Sequence, residues 1–173
     1  MSAEAAGDEQ ARRVAELFEQ HRGAIYAYVA RLSRDSHLAE EITQETFLKV
    51  YQARDQLPGI GNLRAWIFRI ATNTCLTTMR RNRRFRWLPW DAAESLPGPG
   101  RDEAGRVGQR DAIERALNSL SQEYRAPLLL FSYHGFRVAE IAEVLGISEG
   151  AVKTRVYRAK EMFLRAYRQD EDR

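Results

Sequence analysis

From Ala11 to Leu32 the apolar residues Val14, Leu17, Phe18, Ile25, Tyr28, Val29 and Leu32 recur at threes and fours, the spacing that lines one side of an amphipathic helix. The polar cluster Ser33-Arg34-Asp35-Ser36 then supplies a turn and an N-cap. Leu38, Ala39, Ile42, Thr46 and Val50 form the inner stripe of a second helix, expected to end before Leu57-Pro58-Gly59. After the loop Pro58-Gly59-Ile60-Gly61-Asn62, a third stripe of Leu63, Trp66, Ile67, Ile70, Ala71 and Thr74 runs on into Met79-Arg80-Arg81. Three helices with facing stripes predict a small bundle, with Trp66 in its core.

Between Arg84 and Gly108 the periodicity stops, and Pro89, Pro97, Pro99, Gly98, Gly100, Gly105 and Gly108 punctuate the chain as in a linker. Helical spacing resumes at Gln109 with Ile113, Ala116, Leu117 and Leu120, breaks at Ser121, and continues through Leu128-Leu129-Leu130-Phe131 towards His134-Gly135. Pro127 is expected to kink that helix, because it lacks an N–H and its ring crowds the preceding turn. Two further helices are predicted, Val138 to Leu145 and Ser148 to Arg168, parted by Gly146-Ile147. No segment alternates with the two-residue period of a strand. The expected fold is all-α: two small helical domains joined by a flexible linker, the second containing a helix-turn-helix. The boundaries are a disordered N-terminus over 1–10, a helical domain over 11–83, a linker over 84–108, a second domain over 109–168 and a disordered tail over 169–173.

Composition narrows the picture further. The chain has 173 residues, a net charge of +3 and 44% apolar residues, enough to bury a core. No apolar run reaches the roughly 18 residues of a membrane span, and the start (Glu4, Asp8, Glu9) lacks the basic-then-apolar order of a signal peptide, so membrane insertion is not expected and the expected address is cytoplasmic. The single cysteine, Cys75, can form no intrachain disulfide and reads as a small buried residue. His21, His37 and His134 lie too far apart for zinc spacing, so neither a metal nor another cofactor is expected. Absence of a Ser/His/Asp set, of a Gly-rich phosphate loop and of clustered carboxylates argues against an enzyme.

Four features carry chemistry. In the final pair of helices Gly146 can adopt the positive φ of a sharp helix end and Ser148 can cap the next helix. Val152, Val156, Ala159 and Phe163 then face inward, while Lys153, Thr154, Tyr157 and Arg158 face outward with donors suited to the DNA major groove. Arg155 lies on a flank, where phosphate is the natural contact. On the second helix Glu40, Glu41, Gln44, Leu48 and Tyr51 oppose the buried stripe. Such a face either merely solvates the helix or, with its apolar residues rimmed by acid, docks a basic protein surface. Arg80, Arg81, Arg83, Arg84 and Arg86, interleaved with Asn82, Phe85 and Trp87, either cap a helix C-terminus or hold a single strand by phosphate contact and stacking. Asn73 is either a surface amide or a reader of an extruded base, with the loop from Pro58 to Asn62 closing over it.

Together these residues resemble a known family. The run Asp35-Ser36-His37-Leu38-Ala39-Glu40-Glu41-Ile42-Thr43-Gln44-Glu45-Thr46-Phe47-Leu48-Lys49-Val50-Tyr51 is similar to the core-binding segment of extracytoplasmic-function (ECF) sigma factors of bacterial RNA polymerase. Leu63 to Asn73 resembles that family's promoter-melting helix, and Val138 to Glu161 its helix-turn-helix for the −35 element. The resemblance implies a sigma factor that binds core RNA polymerase, reads promoter DNA as duplex at −35 and single strand at −10, and assists melting. It implies a core-polymerase surface of Glu40, Glu41, Gln44, Glu45, Leu48 and Tyr51. The −10 site it implies comprises Gly59, Ile60, Gly61, Asn62, Leu63, Asn73, Arg80 and Arg81, and the −35 site Ser148, Lys153, Thr154, Arg155, Tyr157 and Arg158. An anti-sigma factor is the further partner implied. Thr77 stands where the family usually has an acid four residues after the asparagine.

The rival reading is a stand-alone helix-turn-helix regulator whose N-terminal bundle senses or dimerises. For a sigma factor, a linker of about 25 residues has a root-mean-square span of roughly 25–30 Å, whereas DNA sites one or two turns apart lie about 34–70 Å from each other. A flexible linker must therefore be stretched for both elements to be engaged.

Overall fold

The structure, a computed structural model, describes residues 3–85 and 104–171. Its elements are α1 (Ala3–Ser33), α2 (Ser36–Gln52), a 3-10 segment (Arg54–Gly59), α3 (Leu63–Phe85), α4 (Ala104–Asn118), α5 (Gln122–Leu128), a π-helical turn (Leu129–Tyr133), α6 (Val138–Leu145) and α7 (Glu149–Glu171). Among the described residues there is no strand, and the chain divides into two compact units that part between α3 and α4. The fold is all-α, with two helical domains, the second holding a helix-turn-helix.

In the first unit α1, α2 and α3 pack on one another. Val14, Leu17, Ile25, Tyr28, Val29 and Leu32 of α1 are buried, as are Leu38, Ala39, Ile42, Thr46 and Val50 of α2. Asp35 caps α2, its carboxylate accepting the Leu38 N–H at 2.9 Å. One polar pair crosses the core: the hydroxyls of Tyr28 and Thr72 lie 3.0 Å apart, and Thr72 donates to the Phe68 carbonyl at 2.7 Å. Thr72 thus leaves the Tyr28 hydroxyl a partner inside an apolar interior, where an unmatched one would cost about 1–3 kcal/mol.

The third stripe is rotated from its expected position. Ala65, Ile67, Phe68, Ala71, Thr72, Thr74 and Cys75 are buried, whereas Leu63, Trp66 and Ile70 are only half-buried. The reason is that α3 packs against both α1 and α2 and needs a wide inner arc. Small residues such as Ala71 and Cys75 let the backbones approach, while the bulk of Trp66 sits at the shoulder. Cys75 is fully buried, its thiol donating to the Met79 sulfur at 3.7 Å.

Several boundaries also move. α1 begins at Ala3, not Ala11: Ala3, Ala5 and Ala6 favour helix intrinsically, and early acids such as Glu4 and Asp8 suit the positive end of the helix dipole. α2 stops at Gln52, before the 3-10 segment anchored by buried Leu57. Helix occupies both edges of the expected 84–108 linker, to Phe85 on one side and from Ala104 on the other, and α7 runs through the expected tail to Glu171. The rest of that linker, with Arg86, Trp87 and the three prolines, lies outside the described residues, as do residues 172–173.

In the second unit Ala112, Ala116 and Leu117 of α4, Ala126 and Leu128 of α5, and Val152, Val156 and Ala159 of α7 share the core. Pro127 is buried inside α5, and the backbone beyond it widens into the π turn, with the His134 N–H donating to the Leu129 carbonyl at 3.0 Å. Arg125 is buried too. Its guanidinium donates to the carbonyls of Leu117, Asn118 and Leu120, closing the C-terminus of α4 and the turn beyond it. A C-terminal helix end carries unpaired carbonyls and a partial negative charge, and a planar cation with several donors satisfies both.

Candidate nucleic-acid and protein interfaces

The buried stripe of α2 dictates what its other side shows. With Ile42, Thr46 and Val50 inward, Glu40, Glu41, Gln44, Glu45, Leu48 and Tyr51 all face water. Leu48 is 56% and Tyr51 46% exposed, an apolar pair that the bundle's own packing does not explain. Glu45 is paired with Lys49 at 2.9 Å, one helical turn away, and the same ammonium donates to Thr74 of α3 at 2.9 Å. Arg54 stacks over the Tyr51 ring at 4.7 Å and donates to the Tyr51 carbonyl, holding that ring against the helix. The sequence reading assigned no role to Lys49 or Arg54. The Glu45/Lys49 spacing of four is a visible signal; the Arg54 stacking depends on the 3-10 segment and has none.

At the start of α3, Gly59 and Gly61 are exposed, and Ile60, Asn62 and Leu63 are half-buried. Asn62 is the N-cap: its side-chain oxygen accepts the Ala65 N–H at 3.0 Å, which commits part of its amide to the helix. Asn73 is exposed three turns further along, as are Thr77, Arg80, Arg81 and Arg83. Arg80 also donates to the Leu76 carbonyl at 3.3 Å. The structure therefore keeps Asn73 and the arginines on the outside of α3.

The helix-turn-helix forms as its sequence predicts. Gly146 has φ 65°, ψ 36°, the left-handed geometry that ends α6, and the Ser148 hydroxyl accepts the Ala151 N–H at 3.1 Å to start α7. At the start of α6 the Arg137 N–H donates to the Glu140 carboxylate at 2.8 Å. Lys153, Thr154, Tyr157 and Arg158 are exposed along one side of α7. Thr154 donates its hydroxyl to the Gly150 carbonyl at 3.0 Å, so towards a ligand it offers lone pairs and a methyl group. Tyr157 is 64% exposed and bonded to Glu161, whose carboxylate pushes the phenol pKa up. Arg155 departs from the group: it is half-buried, and its guanidinium pairs with Glu123 of α5 at 3.1 Å. Among the described residues no three His, Cys, Asp or Glu side chains converge as metal ligands would, and no helix is long and apolar enough to cross a membrane.

Comparison with known proteins bears on both units. Residues 17–85 match the model of Sigma-70 region 2, and residues 110–163 that of Sigma-70, region 4. The chain is 34% identical over 157 residues to the ECF RNA polymerase sigma factor SigE of Mycolicibacterium smegmatis, covering 88% of this chain and 60% of that protein's length. It is 35% identical over 146 residues to the ECF RNA polymerase sigma factor SigL of Mycobacterium tuberculosis, covering 83% of this chain and 82% of that one. Among solved structures, CnrH in complex with the cytosolic domain of CnrY aligns with a TM-score of 0.70 at 25% identity, over 97% of this chain and 96% of its own. RpoE from Bartonella quintana, solved with the anti-sigma factor NepR, aligns with a TM-score of 0.72 over 89% of this chain and 96% of its own; at 24% identity it speaks to the fold alone. With both regions matched in order and a relative aligned over most of its length, the chain belongs to the ECF RNA polymerase sigma factors.

Proposed function

We propose that this chain binds core RNA polymerase, directs it to promoters by reading −35 and −10 elements, and assists strand opening without making or breaking a covalent bond. The observation that carries the reading is the exposure of Leu48 and Tyr51 among Glu40, Glu41, Gln44 and Glu45 on the outer side of α2. An apolar centre with a charged rim is the anatomy of a protein-docking surface, and its acids suit a basic partner rather than DNA. In this assignment Gly59, Ile60, Gly61, Asn62, Leu63, Asn73, Arg80 and Arg81 hold the −10 strand. Lys153, Thr154, Tyr157 and Arg158 read the −35 duplex, with Ser148 shaping the turn that presents them.

The N-terminal match to Sigma-70 region 2 supports this reading over a stand-alone regulator, which has no need of such a domain. The exposed surfaces also need a keeper when polymerase is absent. An anti-sigma protein, the further partner that membership of this family implies, is the proposed one, and the cytoplasm the proposed place of work. The deciding experiment is transcription in vitro from a pool of promoter fragments with purified core polymerase. Adding this chain should produce promoter-dependent transcripts that core alone does not make; equal output with and without it would overturn the assignment.

A further inference from the structure

Arg155 sits in the middle of the helix that carries the proposed −35 readers, yet it is not one of their number in the structure. At about 100° per residue it lies roughly 60° from the inward line through Val152, Val156 and Ala159, and about 120° from the centre of the exposed side. That placement turns it towards α5, where Glu123 accepts its guanidinium at 3.1 Å. Two residues on, Arg125 ties the same helix to the carbonyls of Leu117, Asn118 and Leu120. Helix α5 is therefore fastened on one side to the end of α4 and on the other to the middle of α7. Apolar packing alone sets the depth of α7 but leaves its rotation softly defined, because Val152, Val156 and Ala159 are small and smooth. An ion pair at the flank is directional and resists that rotation.

We propose that Arg155 is a positioning residue for DNA reading: paired with Glu123, it fixes the rotation of α7 that aims Lys153, Thr154, Tyr157 and Arg158 together at the groove, and it does not itself serve as a phosphate ligand. This inference rests on the assignment of α7 to the −35 element. The two roles for Arg155 predict opposite results. If the pair positions α7, breaking it from either end lowers sequence discrimination and leaves the salt dependence of binding unchanged. If Arg155 instead grips phosphate and Glu123 only withholds it, removing the acid frees the cation and tightens binding. Removing the arginine would then reduce the slope of log affinity against log salt by about 0.9, one phosphate contact's share.

The test uses holoenzyme assembled from full-length chain and core polymerase. Its probe is a promoter fragment that wild-type holoenzyme selects from a pool randomised at the upstream element, competed against the same fragment with that element scrambled. E123Q and R155Q should each reduce discrimination about two- to fivefold, the range expected of one partly exposed ion pair, and the double variant should be no worse than either alone. The charge-swapped pair Glu123→Arg with Arg155→Glu should recover at least half of the loss, which a phosphate ligand could not do because it would place an acid towards DNA. Tighter binding by E123Q, a lower salt slope for R155Q, or additive losses without rescue would overturn the positioning role while leaving α7 as the reader. A wild-type holoenzyme that selects no upstream sequence at all would overturn the functional assignment itself.

Discussion

A single side chain tests whether the acidic side of α2 docks a partner. Leu48 touches water over more than half its surface, so Leu48→Asp removes little from the fold but places a charge at the centre of the proposed contact. We expect that variant to lose recovery with core polymerase in a pull-down while its helical circular dichroism and melting temperature stay unchanged; undiminished recovery would exclude this surface. On α7, Lys153→Ala or Arg158→Ala should cost about 1–3 kcal/mol of discrimination at one base pair if the residue reads a base edge. Competition binding on single-position promoter variants measures this, and an equal loss on every sequence would mark a phosphate contact instead. Arg125 makes a converse case, being buried with its donors committed to backbone carbonyls. Replacing it with Met strips the donors from the carbonyls of Leu117, Asn118 and Leu120, and should destabilise the C-terminal unit by about 2–4 kcal/mol in urea unfolding. Nothing in the sequence announces this role, because one arginine in a predicted helix looks like any solvated charge until the turn at Ser119 to Ser121 is folded back upon it.

Among the elements, the helix-turn-helix was the most readable, since Gly146, Ser148 and the Val152, Val156, Ala159 stripe each impose a local rule that neighbours do not override. Gly146 gives a clean measurement of one such rule. No atom lies within 4 Å of where its Cβ would be, so Gly146→Ala meets no clash and bears only the cost of a left-handed backbone, about 1–2 kcal/mol. A melting-temperature drop of several degrees is expected, and none at all would mean the turn relaxes freely. Helix α3 was less readable for a physical reason. A stripe drawn from bulky apolar residues selects Trp66 and Ile70, but a helix wedged between two others is buried along Ala65, Thr72 and Cys75 as well, whose small or hydroxylated side chains carry no strong hydropathy signal. Helix ends were least readable, as at Ala3, where propensity extends α1 beyond its apolar stripe without leaving a mark in the periodicity.

For the molecule as a whole, the proposed determinants are shared out between two units, with core binding and the −10 strand in one and the −35 duplex in the other. Each unit alone offers a small contact area, so we expect gel shifts of a complete promoter with this chain by itself to be weak and nearly indifferent to sequence, becoming tight and selective when core polymerase is added. Tight selective binding without core would refute that division of labour. Stability should also fall in alkali. Burial lifts the Cys75 thiol from 9.0 to about 12 and pushes the Tyr28 phenol up as well. The share of stability that Cys75 contributes in this way is fully present below pH 9 and is lost as pH climbs towards 12, which chemical unfolding across that interval would register as a falling midpoint. The same sulfur is the only thiol in the sequence. A peroxide or an alkylating toxin dissolved around the folded protein finds no thiolate to attack, and iodoacetamide should add mass only after denaturation. Any chemistry at this sulfur therefore waits on an opening of the N-terminal bundle, so its rate of labelling reports how often α3 leaves its neighbours.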